Sequence, residues 1–282
     1  MQITDYNTSY FPTWCPGCGD FGIWGALKSA FTKIGWTPSD FAIVFGIGCS
    51  GNMNDFLKCY AFHALHGRAI PTAVGIKIAN HKLPVLVVAG DGDCYGEGGN
   101  HLMHAARGNH DITVVIHDNR VYGLTTGQTS PTSPKGYKSK STPDGVIEVP
   151  VNPLAYAITS GATFVAQAFA GDIVHTAGII EEGVRHKGFS LVNILQPCIS
   201  FNKVNTYPWY RERVYKLGEE YDKRDKMKAL EKSFFLADKI PTGIFYEEDR
   251  LTYTDSLTQL SESTLLRRSC GLNLEKILDE YV

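Results

Sequence analysis

Short apolar runs alternate with amphipathic segments along most of the chain. The runs that are apolar almost throughout, as in strands buried on both faces, are 41–45, 83–89, 112–117, 162–168 and 189–195. Segments with helical spacing lie between some of them, for example 97–107 and 172–187. Buried strands that alternate with helices predict an α/β fold, in which a parallel sheet is covered by helices on both faces.

The amino-terminal segment predicts one more helix. Trp24, Leu27 and Phe31 recur at helical spacing and would share one face. We expect Asp20 to cap the start of this helix and Gly35 to end it.

Two parts of the chain lack this alternation. Residues 125–153 are rich in Ser, Thr, Pro, Gly and Lys and have little periodicity, which predicts a long loop that closes over a site. The charged stretch 212–239 predicts a helix. We therefore predict a ligand-binding domain over 1–205 and a mixed carboxyl-terminal extension over 206–282 that contacts a partner.

The composition excludes several classes of protein. Hydrophobic residues make up 43% and charged residues 20% of the 282 positions, as in a globular rather than a disordered protein. Lys and Arg number 27 against 29 Asp and Glu, so the charge indicates neither a nucleic acid nor an anionic membrane as partner. No apolar run is long enough to span a bilayer, and residues 1–10 do not have the pattern of a signal peptide. We expect a cytoplasmic protein.

The strongest candidate site follows two successive predicted strands. Asp91 and Gly92 come directly after the run 83–89, and Asn119 follows the run 112–117. Since neighbouring parallel strands end at the same edge of a sheet, these side chains should lie together. A carboxylate and an amide oxygen suit Mg²⁺, which keeps positions open for phosphate oxygens, and flanking glycines let backbone N–H groups approach a phosphate. The alternative is a pair of ordinary turns, which this spacing disfavours.

The seven cysteines form the second candidate, because a reducing compartment disfavours disulfides. Cys15 and Cys18 form a CxxC pair, Cys49 follows the first predicted strand and Cys198 follows the last. Four thiolates can hold a zinc ion or an iron–sulfur cluster. A thiol–disulfide redox pair and inert buried cysteines are the alternatives. The remaining cysteines, which we expect to be structural, are Cys59, Cys94 and Cys270.

One further motif is misleading. Residues 46–51 fit the pattern G-x-G-x-x-G after a strand, which is typical of dinucleotide sites. Such a site also needs an acidic residue about 20 positions later to hold the ribose. No Asp or Glu lies between Asp55 and Asp91, so we do not expect a nicotinamide cofactor.

Together these motifs resemble those of a known enzyme family. Gly90, Asp91 and Gly92 with Asn119 are similar to the pyrophosphate motif of thiamine diphosphate enzymes, although Asp118 stands where many of those enzymes have a first asparagine. The wider set is more specific: CPGCGD at 15–20, GIGCS at 46–50, HGRAIP at 66–71, GDGD at 90–93, DNRVYGLTTGQTSPT at 118–132 and QPC at 196–198. This set resembles the β subunit of two-subunit 2-oxoacid:ferredoxin oxidoreductases from about residue 15 to residue 213.

The resemblance implies a thiamine diphosphate-binding fold with three bound groups. A [4Fe–4S] cluster would be held by Cys15, Cys18, Cys49 and Cys198. Mg²⁺ would be bound by Asp91, Asn119 and the backbone carbonyl of Val121. The residues implied to contact thiamine diphosphate are Ile47, Gly48, Cys49, Ser50, His66, Gly92, Asp93, Gly123 and Leu124.

The resemblance also implies an active site that this chain does not complete. The glutamate that activates thiamine belongs to a separate pyrimidine-binding domain, for which the segment after residue 205 leaves too little room. The family carries that domain on a partner α subunit, which implies an α2β2 heterotetramer that is active only when both subunits are present. The implied reaction is the oxidative decarboxylation of a 2-oxoacid, with coenzyme A taking the acyl group and electrons leaving through the cluster to ferredoxin.

Alternatives remain open for the substrate and for the class of protein. The segment 201–207 is more similar to the 2-oxoglutarate branch of the family, whose product is succinyl-CoA, and pyruvate or a branched-chain 2-oxoacid is the alternative. A non-redox thiamine-dependent decarboxylase or synthase would have no need of the four cysteines. A non-catalytic iron–sulfur or zinc scaffold protein would leave the pairing of Asp91 with Asn119 unexplained.

Overall fold

One eight-stranded sheet organises the chain. The computed structural model describes residues 1–235, 238–268 and 278–280, so Cys270 lies outside the described residues. The strands are β1 (Ala42–Phe45), β2 (Tyr60–His63), β3 (Val85–Gly90), β4 (Thr113–Asp118), β5 (Val121–Tyr122), β6 (Gln128–Thr129), β7 (Phe164–Phe169), β8 (Ser190–Leu195), β9 (Val214–Lys216) and β10 (Ile240–Glu247). The helices are α1 (Gly19–Ile34), α2 (Ala69–Ala79), α3 (Gly99–Arg107), α4 (Pro153–Thr159), α5 (Ile173–Arg185), α6 (Tyr207–Arg211) and α7 (Lys226–Ser233).

The sheet is mainly parallel. Its strand order is β2-β1-β3-β4-β8-β7-β10-β9, while β5 and β6 form a separate two-stranded pair. Every neighbouring pair in the large sheet is parallel except β7 and β10, which are antiparallel. The five strands predicted from apolar runs are confirmed, with small shifts at their ends. The exposed edge strand β2 and the strands β9 and β10 were not predicted from the sequence.

The sheet separates two hydrophobic cores. Successive side chains of a strand point to opposite faces of the sheet. Ile43 and Leu86 therefore pack with α1 and α5 on one face. Their neighbours Val44 and Val87 pack with α2, α3 and α4 on the other face. The prediction of helices on both faces is confirmed. No helix in the described part of the chain is both long and apolar enough to cross a membrane.

Helix α1 begins differently from the prediction. Cys18 occupies the N-cap position and Asp20 lies inside the first turn, so the prediction that Asp20 caps the helix is wrong. The side chain of Asp20 is unavailable for capping because it is fully buried and pairs with the imidazole of His117 and the thiol of Cys18. Gly35 ends the helix in the left-handed conformation, as predicted, with φ +84°.

The prediction of one helix over 212–239 is also wrong. That stretch contains the strand β9, which pairs with β10 further along the chain. Among its described residues, which exclude 236–237, only α7 is helical. Asp225 caps α7 by accepting hydrogen bonds from the N–H groups of Met227 and Lys228, both at 3.0 Å. The high charge of the stretch suggested a helix. Residues 214–216 instead form a strand, because they pair with β10 at the edge of the sheet.

The close packing of α1 against the sheet predicts different effects from two glycines of the same helix. A Cβ at Gly22 would overlap with the carbonyl oxygen of Ala170, whereas the nearest atom to a Cβ at Gly25 is Cγ2 of Ile173 at 3.8 Å. We expect Gly22→Ala to lower the free energy of unfolding by about 1–3 kcal/mol, because the backbone must move. Gly25→Ala should leave it unchanged or raise it by up to about 1 kcal/mol, because alanine favours the helix. Urea unfolding measures both, and equal stability of the two variants would contradict this packing.

Candidate functional site

The candidate site lies at the carboxyl ends of four adjacent strands. Gly90 of β3 is level with His117 of β4, and Asp118 of β4 is level with Leu195 of β8. The loops that follow β1, β3, β4 and β8 therefore start side by side. These loops, with the segment before α1, line two adjacent cavities, which we call the carboxylate cavity and the cysteine cavity.

The carboxylate cavity brings together all the residues that the resemblance implies for Mg²⁺ and thiamine diphosphate. They are Asp91, Asn119 and Val121 for the metal, and Ile47, Gly48, Cys49, Ser50, His66, Gly92, Asp93, Gly123 and Leu124 for the cofactor. The lining residues outside this implied set are Gly90, His117, Tyr122 and Thr125, of which His117 lies outside the motifs as well.

Asp91 is buried beside a second carboxylate. The hydroxyls of Ser130 and Thr132 each donate to Oδ2 of Asp91 at 2.5 Å, and the Thr132 hydroxyl also lies 3.0 Å from Oδ1 of Asp118. The single proton of Thr132 can serve only one of the two carboxylates. Burial, and after it the charge of Asp118, raises the pKa of Asp91 to about 7. Two neighbouring buried carboxylates offer oxygen donors that fit a divalent cation such as Mg²⁺.

The two Ser/Thr donors come from the start of the long loop predicted over 125–153. Ser130, Thr132 and Ser133 are buried, and the Ser133 hydroxyl donates to the carbonyl of Arg120 at 2.6 Å. This first part of the loop thus holds Asp91 and the turn after β4 in place through hydrogen bonds. The sequence offered no direct signal for this contact, because a Ser/Thr-rich stretch is typical of exposed loops.

Asn119 and Val121 are brought together by a sharp turn. Oδ1 of Asn119 accepts a hydrogen bond from the N–H of Val121 at 3.0 Å, and Arg120 between them has a left-handed φ of +62°. The carbonyl of Asn119 accepts from the side-chain amide of Asn202 at 3.1 Å. These contacts fix the loop after β4 against the loop after β8.

Asp93 joins two other loops at the cavity. Its Oδ1 accepts hydrogen bonds from the N–H groups of Ile47 at 3.1 Å and Gly67 at 2.9 Å, and it lies 2.7 Å from Nδ1 of His66. Burial is the main cause that raises the pKa of Asp93, and these hydrogen bonds oppose it. The carboxylate therefore holds the loop after β1 in place.

Three buried polar atoms of the carboxylate cavity have no hydrogen-bond partner among the described residues. They are Oγ of Ser50, Oδ2 of Asp93 and Nε2 of His117. An unpaired buried polar group costs about 1–3 kcal/mol, so proteins rarely keep several without a ligand to satisfy them. The cavity thus fits a polar ligand such as thiamine diphosphate.

The cysteine cavity is lined by the four cysteines singled out in the sequence. They are Cys15, Cys18, Cys49 and Cys198. A Cβ at Gly123 would lie 3.4 Å from Sγ of Cys49 and 3.8 Å from Sγ of Cys198, so this glycine leaves space between the thiols. The side-chain amide of Gln196 donates to Sγ of Cys18 at 3.3 Å. Sulfur donors around one space fit an iron–sulfur cluster or a zinc ion.

The thiols do not close around a centre in this structure. Among the described residues, no three His, Cys, Asp or Glu side chains converge as they would around a bound metal. Burial raises the pKa of Cys49 to about 12 and raises the pKa of Cys18 well above its ordinary value. A metal centre is what would keep such buried sulfurs as thiolates. The cysteine cavity therefore suits a metal centre because of the sulfur donors that it offers, and not because these sulfurs already surround one point.

The two cavities share a wall. Cys49, Asn119, Gly123 and Leu124 line both of them. The carbonyl of Cys49 accepts a hydrogen bond from Nε1 of Trp14 at 2.7 Å, which holds this wall in place. Ligands of the two cavities would therefore be close neighbours.

The glycine motif at 46–51 belongs to this wall and not to a dinucleotide fold. It leads into a 3-10 helix over Gly51–Asp55, whereas a dinucleotide fingerprint opens an α-helix.

Comparison with known proteins points to one family. Residues 46–194 match the thiamine pyrophosphate enzyme C-terminal TPP binding domain, and residues 198–262 match the carboxyl-terminal region of the pyruvate ferredoxin oxidoreductase beta subunit. The chain is 44% identical over 266 residues to a 2-oxoacid:ferredoxin oxidoreductase subunit beta of Saccharolobus solfataricus, and the match covers 89% of this chain and 87% of that protein. It is 41% identical over 198 residues to the 2-oxoglutarate oxidoreductase subunit KorB of Mycobacterium tuberculosis, covering 70% of this chain and 53% of the relative.

A solved structure agrees with these relatives. The 2-oxoglutarate:ferredoxin oxidoreductase from Magnetococcus marinus, with 2-oxoglutarate, coenzyme A and succinyl-CoA bound, has a TM-score of 0.93 to this chain and 41% sequence identity. The match covers 100% of this chain and 96% of that one. The chain therefore belongs to the β subunits of 2-oxoacid:ferredoxin oxidoreductases.

Proposed function

We propose that this β subunit belongs to an enzyme that oxidises 2-oxoglutarate to succinyl-CoA and CO₂ and passes the electrons to ferredoxin. The observation that carries the proposal is the shared wall between the carboxylate cavity and the cysteine cavity. The substrate is supported by the KorB relative and by the Magnetococcus marinus structure, whose ligands include 2-oxoglutarate and coenzyme A. The free thiols of the described cysteines suit the reducing cytoplasm, where we propose that the enzyme works.

The proposal assigns a bound group to each cavity. Asp91, Asn119 and the carbonyl of Val121 would hold Mg²⁺, beside thiamine diphosphate in the carboxylate cavity. The four cysteines of the cysteine cavity would hold a [4Fe–4S] cluster. When bound, thiamine diphosphate supplies an electron sink for decarboxylation, and the cluster accepts single electrons.

The chain's own residues position these groups. The hydroxyls of Ser130 and Thr132 fix one oxygen of Asp91, which leaves the other for a cation. Asp93 holds the loop after β1, so that the backbone from Ile47 to Ser50 keeps its place along the cavity. Cys49, Asn119, Gly123 and Leu124 line both cavities and would therefore hold the two groups close together.

We propose that the site is completed by a partner α subunit in an α2β2 assembly. In the described part of the chain, the two carboxylates that line the carboxylate cavity are Asp91 and Asp93, and both already accept hydrogen bonds within this chain. The glutamate that the family uses to activate thiamine would then come from the partner. Large apolar side chains are exposed next to the cavity-lining segments, among them Phe11 and Leu65, and these suit a contact with another subunit.

Metal analysis of the anaerobically purified complex with its α subunit tests the cluster. We expect about four irons per β chain, the content of one cubane cluster. Cys198→Ser should lose that iron because it removes a ligand. Cys59→Ser is the matched control and should keep the iron, since Cys59 does not line the cysteine cavity.

Two other results would contradict the redox assignment. Thiamine diphosphate without iron would favour a non-redox thiamine-dependent decarboxylase or synthase. Zinc in place of iron, without bound thiamine diphosphate, would favour a scaffold protein.

Steady-state kinetics with coenzyme A and ferredoxin tests the substrate. We expect kcat/KM for 2-oxoglutarate to exceed that for pyruvate and for a branched-chain 2-oxoacid by at least about tenfold. Only 2-oxoglutarate has a second carboxylate, so the other two acids would leave the enzyme groups that bind this carboxylate unpaired. The three acids must be compared on one enzyme preparation. A higher kcat/KM for pyruvate or for the branched-chain acid would overturn the choice of 2-oxoglutarate while leaving the family unchanged.

A further inference from the structure

A buried imidazole lines the carboxylate cavity, contacts a residue that lines the cysteine cavity, and is not among the residues implied by the resemblance. His117 is the next-to-last residue of β4 and is 1% exposed. Its Nδ1 lies 2.5 Å from Oδ1 of Asp20, which is fully buried in the first turn of α1. Its Nε2 is buried and has no partner among the described residues, although His117 lines the carboxylate cavity.

The contact with Asp20 fixes how the ring is presented. A carboxylate accepts hydrogen bonds, so Nδ1 of His117 is the donor in this pair. Asp20 lines the cysteine cavity and also accepts from the thiol of Cys18 at 3.2 Å. The contact of Nδ1 with Asp20 fixes the orientation of the ring, so Nε2 is the nitrogen of this cavity-lining side chain that stays available to a ligand.

A purely structural pair would not explain the free nitrogen. Leaving a buried polar atom unpaired is unfavourable, and an apolar side chain would fill the same space without that cost. The ring is also level with Gly90, directly before Asp91 on the neighbouring strand. His117 therefore lines the space proposed for the cofactor from the strand next to the one that Asp91 follows.

We propose that His117 contacts thiamine diphosphate through Nε2 and that Asp20 is the residue that positions it. This inference rests on the proposed function, because it takes thiamine diphosphate as the ligand of the carboxylate cavity. It adds a contact to that ligand from the side that faces the cysteine cavity.

Two amide substitutions of His117 distinguish the contribution of Nδ1 from that of Nε2. In His117→Asn the amide reaches the position of Nδ1 and keeps the contact with Asp20, but nothing replaces Nε2. In His117→Gln the longer amide reaches the position of Nε2 and gives up the contact with Asp20. Both are made in the complex of this chain with its α subunit, stripped of cofactor.

Calorimetric titration with thiamine diphosphate and Mg²⁺ gives the dissociation constant, and thermal unfolding of the cofactor-free complex reports the effect on the fold. We expect His117→Asn to weaken binding by about tenfold, as for the loss of one buried hydrogen bond, without a change in the unfolding temperature. His117→Gln should bind within about threefold of the native complex. Asp20→Ala should weaken binding, and combining it with His117→Asn should add little, because the two residues act as one unit.

Native affinity in His117→Asn would overturn the proposal. So would an equal loss of affinity in the Asn and Gln variants together with lower unfolding temperatures, which would mark a structural pair. If the native complex itself does not bind thiamine diphosphate, the proposed function fails and this inference fails with it. Binding by the native complex with no effect of His117→Asn removes only the inference.

Discussion

The parallel alignment of β1, β3, β4 and β8 is the constraint on which the rest of the site depends. Because these four neighbouring strands run in one direction, the chain must leave each of them at the same edge of the sheet. Asp91, Asn119, Cys49 and Cys198 come from distant parts of the sequence and meet there. Helix α1 then adds the CxxC segment from the side, with Cys18 as its N-cap.

The same edge concentrates buried acidic and thiol groups. The Thr132 hydroxyl lies within hydrogen-bond distance of both Asp91 and Asp118 but has one proton for the two carboxylates, and burial raises the pKa of both Asp91 and Cys49. In the proposed enzyme, Mg²⁺ and the iron–sulfur cluster would bring positive charge to these groups. The groups proposed to bind the cofactors are therefore also groups whose ionised form is costly to bury without them.

The sequence predicted those parts of the structure whose signal is local. Apolar runs gave the five central strands, and the positions of Asp91 and Asn119 after two of them gave the carboxylate cavity. It did not predict β2, whose four residues are all exposed, or β9 and β10, which are defined by their pairing in the sheet. Nor did it predict the pair of Asp20 and His117, since these residues are 97 positions apart and Asp20 looked like a helix cap. Contacts of this kind depend on how α1 packs against β4, and the periodicity of apolar residues along the sequence does not predict them.

In the proposed enzyme, a cluster in the cysteine cavity would take up the electrons that the substrate loses in the carboxylate cavity. Electron paramagnetic resonance of the anaerobic complex, with 2-oxoglutarate added and ferredoxin omitted, detects this transfer. We expect the signal of a reduced [4Fe–4S] cluster to appear with substrate in the native complex and not to appear in Cys198→Ser. Consumption of 2-oxoglutarate by the native complex without any cluster signal would contradict it.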